Sequence, residues 1–273
     1  MMNDLIASNK RRTALLLIGF VVLVAIVGIA VGSLAGSGAN GLIVAFVISA
    51  VFAFASYWKS DSVALAVSRA HPADEVAYKR LHNLVEGLCI ASGLPKPRVF
   101  VIEDSAPNAF ATGRNPKHAA IAVTTGLLDT MNRVELEGVI AHELSHIKNY
   151  DILVSTLAVT LVGTIALITD ITLRMMWWNG GRVHRSGDRN DRGNPLALLG
   201  IVLLIVAPLI GKIMQATVSR RRETLADVSA VRMTRYPPGL ISALEKLQAD
   251  STVTHSASMA TAHMWIEIGR AHV

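Results

Sequence analysis

Hydrophobic and polar positions divide the chain into two apolar pairs separated by polar blocks. Apolar residues run from about Thr13 to Val31 and from about Gly41 to Trp58, with no charged residue between Arg12 and Lys59. Each run has the length of a helix able to cross a bilayer. The glycine- and serine-rich stretch 32–41 reads as the turn between them, and Tyr57-Trp58 supply an interfacial end. A third run begins at Ile152 and stays uncharged to Thr169, then meets Asp170, Arg174 and Trp177-Trp178. The fourth, about Leu196–Val218, contains Pro208 and Lys212. Asp170 and Arg174 are four apart, which predicts a pair on one helix face at an interfacial end.

The block 59–151 alternates helical and strand periodicity. Glu75–Ser92 places Val76, Leu81, Leu84, Val85 and Leu88 at helical spacing, and Gly93 stops it. Pro97–Ile102, Asn108–Thr112 and Ala119–Thr124 read as strands, the last two separated by the turn Gly113-Arg114-Asn115-Pro116. Asn132 followed by Glu135 is a capping-box pattern opening a helix with Leu136, Val139, Ile140, Leu144 and Ile147 on its apolar side. The stretch 179–195 is rich in Gly, Asn, Arg and Asp and reads as a mobile loop. After the fourth run come Arg220-Arg221-Arg222, a helical stretch to about Ala230, and a helix over Pro238–Ala249 with proline in its first turn.

Composition narrows the class. Of 273 residues 52% are hydrophobic and 17% charged, where a soluble domain carries about 25% charge. The net charge of +6 reads as membrane anchoring and attraction to anionic lipid, not as nucleic-acid binding. The lone Cys89 excludes a disulfide framework and a cysteine-rich zinc site. Lys10-Arg11-Arg12 before an apolar run imitates a signal peptide, but the run is of spanning length and a second follows at once. The positive-inside rule applied to the first hairpin puts the termini in the cytosol. Arg182, Arg185, Arg189 and Arg192 in the outer loop oppose a full crossing by the second hairpin, so its segments are read as transmembrane or partly shallow.

Chemistry enters with His142-Glu143-Leu144-Ser145-His146 inside the capped helix. Residues four apart share a helix face, so both imidazoles can reach one zinc ion, while Glu143 is placed to take a proton from water. A catalytic zinc needs a third protein ligand. The candidate is Glu223; Asp227, again four apart on the same helix, lets one acid bind the metal while the other orients a ligand from outside. Alone they would read as solvated acids beside an arginine cluster. The hairpin of segments three and four, however, returns the chain to the face where His146 lies, which brings both halves of the site to one membrane surface.

These residues resemble the HtpX family of bacterial membrane-bound zinc metalloproteases, kin of the prenyl-protein endopeptidases. The likeness rests on Asn108-Ala109-Phe110-Ala111-Thr112-Gly113, on Ala141–His146 continuing to Asn149 and Asp151, and on Arg222-Glu223-Thr224-Leu225-Ala226-Asp227. It implies that His142, His146 and Glu223 hold one zinc, that Glu143 is the catalytic base, and that Asp227 and Asn149 support the ligands. It also implies an endopeptidase acting on misfolded or damaged membrane proteins in envelope quality control and stress response. In that reading Asn108, Ala109, Phe110 and Ala111 form the edge strand that holds an extended substrate.

The fold expected is a mainly α membrane protein, with four apolar helices and a small α+β zincin-like catalytic domain. Residues 1–58 would be the first hairpin, 59–151 a cytosolic catalytic part, 152–218 the second hairpin, and 219–267 the part carrying the third ligand. The end departs from the family pattern: Ile268-Gly269-Arg270-Ala271-His272-Val273 reads as a non-native tail on a truncated chain, so 268–273 is set aside. His255 and His263 are candidates for contacting a substrate oxyanion. The expected partners are membrane lipid and unfolded polypeptides, with no nucleic acid, in the bacterial inner membrane. Rival readings are a prenyl-protein-type endopeptidase and a non-catalytic zinc-binding membrane scaffold.

Overall fold

The computed structural model describes residues 38–156 and 220–250, with isolated positions before residue 20. The first apolar run, the third beyond residue 156, the fourth, the 179–195 loop, the Asp170–Arg174 pair, His255, His263 and 268–273 lie outside the described residues.

Helix α1 spans Gly38–Val67. It begins earlier than the predicted turn allows and runs nine residues past Trp58. The extension is explained by packing: Ala64 and Leu65 are buried, and Leu65 joins Ile102, Phe110, Ala120 and Ala122 in one apolar cluster. Asp61 pairs with Arg98, tying the helix to the start of a strand. Among the described residues no helix is long and apolar enough to cross a membrane.

Four strands follow: β1 (His71–Pro72), β2 (Arg98–Ile102), β3 (Ala109–Gly113) and β4 (Ala119–Thr124). They lie in the order β1-β2-β4-β3. The β2–β4 pair is parallel, and β1–β2 and β3–β4 are antiparallel. Period-two alternation decides the faces. Val99, Val101, Ala109, Ala111, Ile121 and Val123 face the main core, while Ile102, Phe110, Ala120 and Ala122 face α1. The sheet is therefore covered on both sides, which suits its continuous apolar strands.

Helix α2 (Lys79–Ser92) ends at Gly93 in the left-handed conformation, as the sequence predicts. It starts later than expected. The Asp74 carboxylate accepts the backbone N–H groups of Val76 and Ala77, so 74–77 forms a turn and Val76 is 85% exposed instead of packed. A short helix α3 (Thr125–Thr130), not foreseen from periodicity, is capped by the Thr124 hydroxyl accepting from Leu127 N–H.

The central element is α4 (Arg133–Lys148). Its predicted capping box is present: Asn132 Oδ1 accepts from Glu135 N–H at 3.0 Å, and Glu135 Oε2 accepts from Asn132 N–H at 2.9 Å. Leu136, Val139, Ile140, Leu144 and Ile147 are all buried, each contributing about 1.5–3 kcal/mol of apolar burial. Two further helices close over it, α5 (Arg220–Thr234) and α6 (Pro237–Ala249). At the α4–α6 contact a Cβ on Gly138 would meet the Leu240 backbone at 2.8 Å, so only glycine lets the two backbones meet there. A helical segment at 151–156 is tied to the sheet by Thr156 Oγ1, which accepts from Gly113 N–H at 3.1 Å and lies 3.0 Å from Thr112 Oγ1.

Glu135 carries more than the cap. Its buried carboxylate also accepts from Ser242 Oγ and Lys246 Nζ, each at 2.7 Å, which fastens α6 to the start of α4. Burial opposes the charge, but Lys246, Ser242 and the Asn132 N–H outweigh it and hold the pKa below the ordinary value of 4.5. A depressed folded-state pKa gives stability that is complete above the unfolded value and fades as pH falls through the folded one. Glu135→Gln is therefore expected to lower unfolding stability by about 2 kcal/mol at neutral pH. The difference from wild type should shrink below pH 4 in thermal unfolding; an equal deficit at both pH values would count against a charge-based role.

Candidate metal centre

The two histidines sit on the third and fourth turns of α4 because a helix carries positions 142 and 146 on one face. His142 is 3% exposed. The imidazole Nε2 atoms lie 3.1 Å apart. From α5, Glu223 brings Oε2 to 3.5 Å from His142 Nε2 and 3.6 Å from His146 Nε2. Among the described residues these are the one group of three or more His, Cys, Asp or Glu whose donor atoms converge as a metal site requires.

The outer ring nitrogens explain the arrangement. His142 Nδ1 lies 2.9 Å from Asp227 Oδ1, and His146 Nδ1 lies 3.4 Å from Asp151 Oδ2. Each carboxylate favours the tautomer with its proton on Nδ1. In that tautomer both Nε2 atoms are acceptors facing each other and a carboxylate oxygen, an arrangement that a proton or a metal cation resolves. The three separations are close to the ~3.3 Å edge of a tetrahedron with metal–ligand bonds of about 2.0–2.1 Å. The donor set and its spacing thus fit zinc.

Burial lowers the proton affinity of both imidazoles, but for His142 Asp227 and Glu223 outweigh it, and for His146 Asp151 and Glu223 do. Both imidazoles consequently hold a proton more readily than free histidine when the metal is absent. For Glu223, burial is in turn outweighed by the two histidines, which hold its carboxyl well below the usual carboxylate range. Glu143, 3% exposed, shifts the other way: burial pushes its carboxyl up, and the two imidazoles offset this in part. The N–H of Ala111 faces this carboxylate from β3 and also moderates the rise.

Strand β3 is the edge of the sheet. All its residues are buried, as is Asn108. The alanines at 109 and 111 face the main core, where their small side chains let α4 come close. Their backbone N–H groups turn away from β4: that of Ala109 donates to Asn108 Oδ1 at 3.0 Å, and that of Ala111 faces Glu143. Phe110 points to the opposite face, toward α1.

Of the supporting residues, Asp227 stands against His142. Asn149 is buried as the C-cap residue of α4, and Asp151 is the carboxylate found at His146. Sequence reading passed over Asp151 as a partner because it lies beyond the helix end. Tyr150, with φ of 58°, reverses the chain and returns it under the ring. The spacing of five residues after His146 is the signal that could have found it.

Residues 75–263 match the sequence profile of peptidase family M48. The chain belongs to that family. A protein of Thermoanaerobacter pseudethanolicus named Protease HtpX homolog is 43% identical over 271 residues, covering 98% of this chain and 90% of its own length. A protein of the same name from Streptococcus gordonii is 43% identical over 269 residues, with 97% and 90% covered. A third, from Limosilactobacillus fermentum, is 46% identical over 254 residues, with 91% and 84% covered. The expected HtpX resemblance therefore holds over nearly the whole chain, and this M48 member is a metalloendopeptidase.

Proposed function

We propose that this M48 metalloendopeptidase is an integral-membrane, zinc-dependent enzyme that cleaves misfolded or damaged membrane proteins at the cytosolic face of the bacterial inner membrane. The observation that carries the catalytic part is the convergence of His142 Nε2, His146 Nε2 and Glu223 Oε2 on one point, with a buried Glu143 on the same helix. His142, His146 and Glu223 would hold one zinc per chain, with Asp227 and Asn149 among the residues that support them. When bound, the ion supplies Lewis acidity toward water and the scissile carbonyl.

Glu143 takes a proton from the attacking water and passes it to the leaving amine. Its raised pKa suits both halves, since a stronger base accepts more readily and the resulting acid stays in a dry environment. Asp227 and Asp151 hold the two rings in the tautomer that presents Nε2. An extended polypeptide laid along Asn108–Ala111 would have to displace the contacts that Asn108 Oδ1 and Glu143 make to the Ala109 and Ala111 N–H groups; main-chain pairing of that kind takes any sequence, which suits a substrate class defined by unfolding.

The membrane part draws on the charge-free run before Lys59 and on exposed Ile43, Val47, Val51, Phe54 and Trp58, which recur at helical spacing along α1. Residues 1–58 and 152–218 would be the membrane hairpins, and 59–151 with 219–267 the cytosolic catalytic parts.

The full chain, reconstituted in bilayers, is expected to contain stoichiometric zinc and to cleave an unfolded membrane polypeptide. A chelator should stop cleavage and added zinc should restore it. Bound zinc without cleavage of any such polypeptide would overturn the reading in favour of a scaffold. Cleavage confined to prenylated peptides would replace the substrate class while keeping the chemistry.

A further inference from the structure

We infer that the turn joining β3 to β4, with Arg114 and Lys117 on it, is a docking site for the headgroups of anionic phospholipids, seated against the aromatic end of α1. The inference rests on the membrane reading above and adds to it a lipid class and a place.

Exposed Ile43, Val47, Val51, Phe54 and Trp58 are spaced four, four, three and four residues apart, so they share one face of α1, a helix whose sequence is apolar on every face up to Trp58. The stripe ends at Trp58, which packs near Phe54 and Tyr57 with ring centroids 5.8 Å away in each case, and exposed Lys59 follows. An apolar stripe that closes on Tyr-Trp and then a lysine marks the level of a bilayer interface. The β3–β4 turn is held at that level. The Arg114 guanidinium lies 4.4 Å over the Trp58 ring and donates to the Trp58 carbonyl at 3.4 Å.

The turn's shape is set by its own residues. Gly113 has φ of 138°, and a Cβ there would come within 2.4 Å of the His118 carbonyl oxygen. Asn115 Oδ1 accepts from His118 N–H at 3.1 Å and lies 2.9 Å from His118 Nδ1. Beside it opens a cleft of about 760 Å³, walled by apolar Tyr57, Leu94, Pro95 and Leu153. The two charged residues lining it among the described residues are Arg114 and Lys117, both cations. Apolar walls under a cationic rim match a phosphate headgroup with the upper part of its acyl chains. An acidic peptide would match the rim but leave the apolar level without a partner.

The position links the lipid to the reaction. The turn runs directly into β3, whose Ala111 N–H faces Glu143. A headgroup held on Arg114 and Lys117 would tie the edge strand to the membrane surface from which unfolded substrate arrives.

The test uses the full chain in vesicles of phosphatidylcholine mixed with phosphatidylglycerol, one or the other lipid being brominated to quench tryptophan fluorescence. Brominated phosphatidylglycerol is expected to quench more than brominated phosphatidylcholine at equal content. Arg114→Gln with Lys117→Gln should cut that preference by about fivefold for each cation removed. Lys117→Glu, which leaves the Trp58 contact in place, should cut it as a single change while zinc content stays at wild-type level. Trp58→Phe should remove most of the lipid-dependent difference. Arg80→Gln with Arg133→Gln, on a separate cleft, should leave it unchanged. Equal quenching by the two lipids in wild type overturns the inference, as does suppression of the preference by an acidic peptide at equal charge. Failure of the chain to float with vesicles would instead remove the membrane reading itself, whereas flotation without lipid preference removes only this site.

Discussion

Glu143→Gln is expected to reduce peptide cleavage roughly a thousandfold while the protein keeps its full complement of metal. The carboxylate is buried beside both imidazoles, and burial raises its proton affinity. Glutamine keeps the shape and the facing Ala111 N–H but cannot accept a proton. Because Glu143 is not among the three converging donors, the two readouts should separate: cleavage rate collapses and zinc per chain does not. Retained cleavage with zinc bound would refute the role assigned to this residue. Loss of zinc together with activity would show instead that Glu143 supports the metal.

The second large effect is expected at Glu223. Glu223→Ala removes the oxygen that stands 3.5 and 3.6 Å from the two Nε2 atoms and leaves a two-histidine site. Losing a residue that merely supports a ligand costs about 10–100-fold in metal affinity, so losing a ligand should cost at least about a hundredfold. Competition with a metal-binding dye measures it directly. Asp227→Asn, which keeps the contact with His142 Nδ1 but removes its charge, is expected to cost less than Glu223→Ala. Undiminished zinc binding by Glu223→Ala would exclude it as the third ligand and leave Asp227 as the candidate from the same helix.

The contrast between these two acids shows where reading residues in order reaches its limit. Both lie on α5, four apart; Glu223 reads from the sequence as the ligand and Asp227 as the orienting acid, but spacing alone does not show how each meets the histidines. What separates them is the way α5 lies across α4: Glu223 meets the inner ring nitrogens of both histidines, while Asp227 meets only the outer nitrogen of His142. The same limit applies to Asp151, whose approach to His146 depends on a reversal at Tyr150. Val76 is the opposite case. Its helical spacing predicted a buried position, and the local bonds from Asp74 overrode that pattern.

Features governed by near neighbours were plain from the residues alone. The capping box at Asn132 and Glu135, the stop at Gly93, strand β4 at its full length, the apolar side of α4 and the pairing of His142 with His146 all follow from contacts within a few positions. Backbone geometry repeats every 3.6 or two residues, so such spacings translate directly into faces. Periodicity reports that a face is apolar, however, and not what it will cover. The edge position of β3, the run of α1 onto the sheet and the arrival of Glu223 beside histidines far earlier in the chain were settled by packing. Their cause is long-range: each requires separate segments to bury surface against one another, and that free energy exists only once all of them are in place.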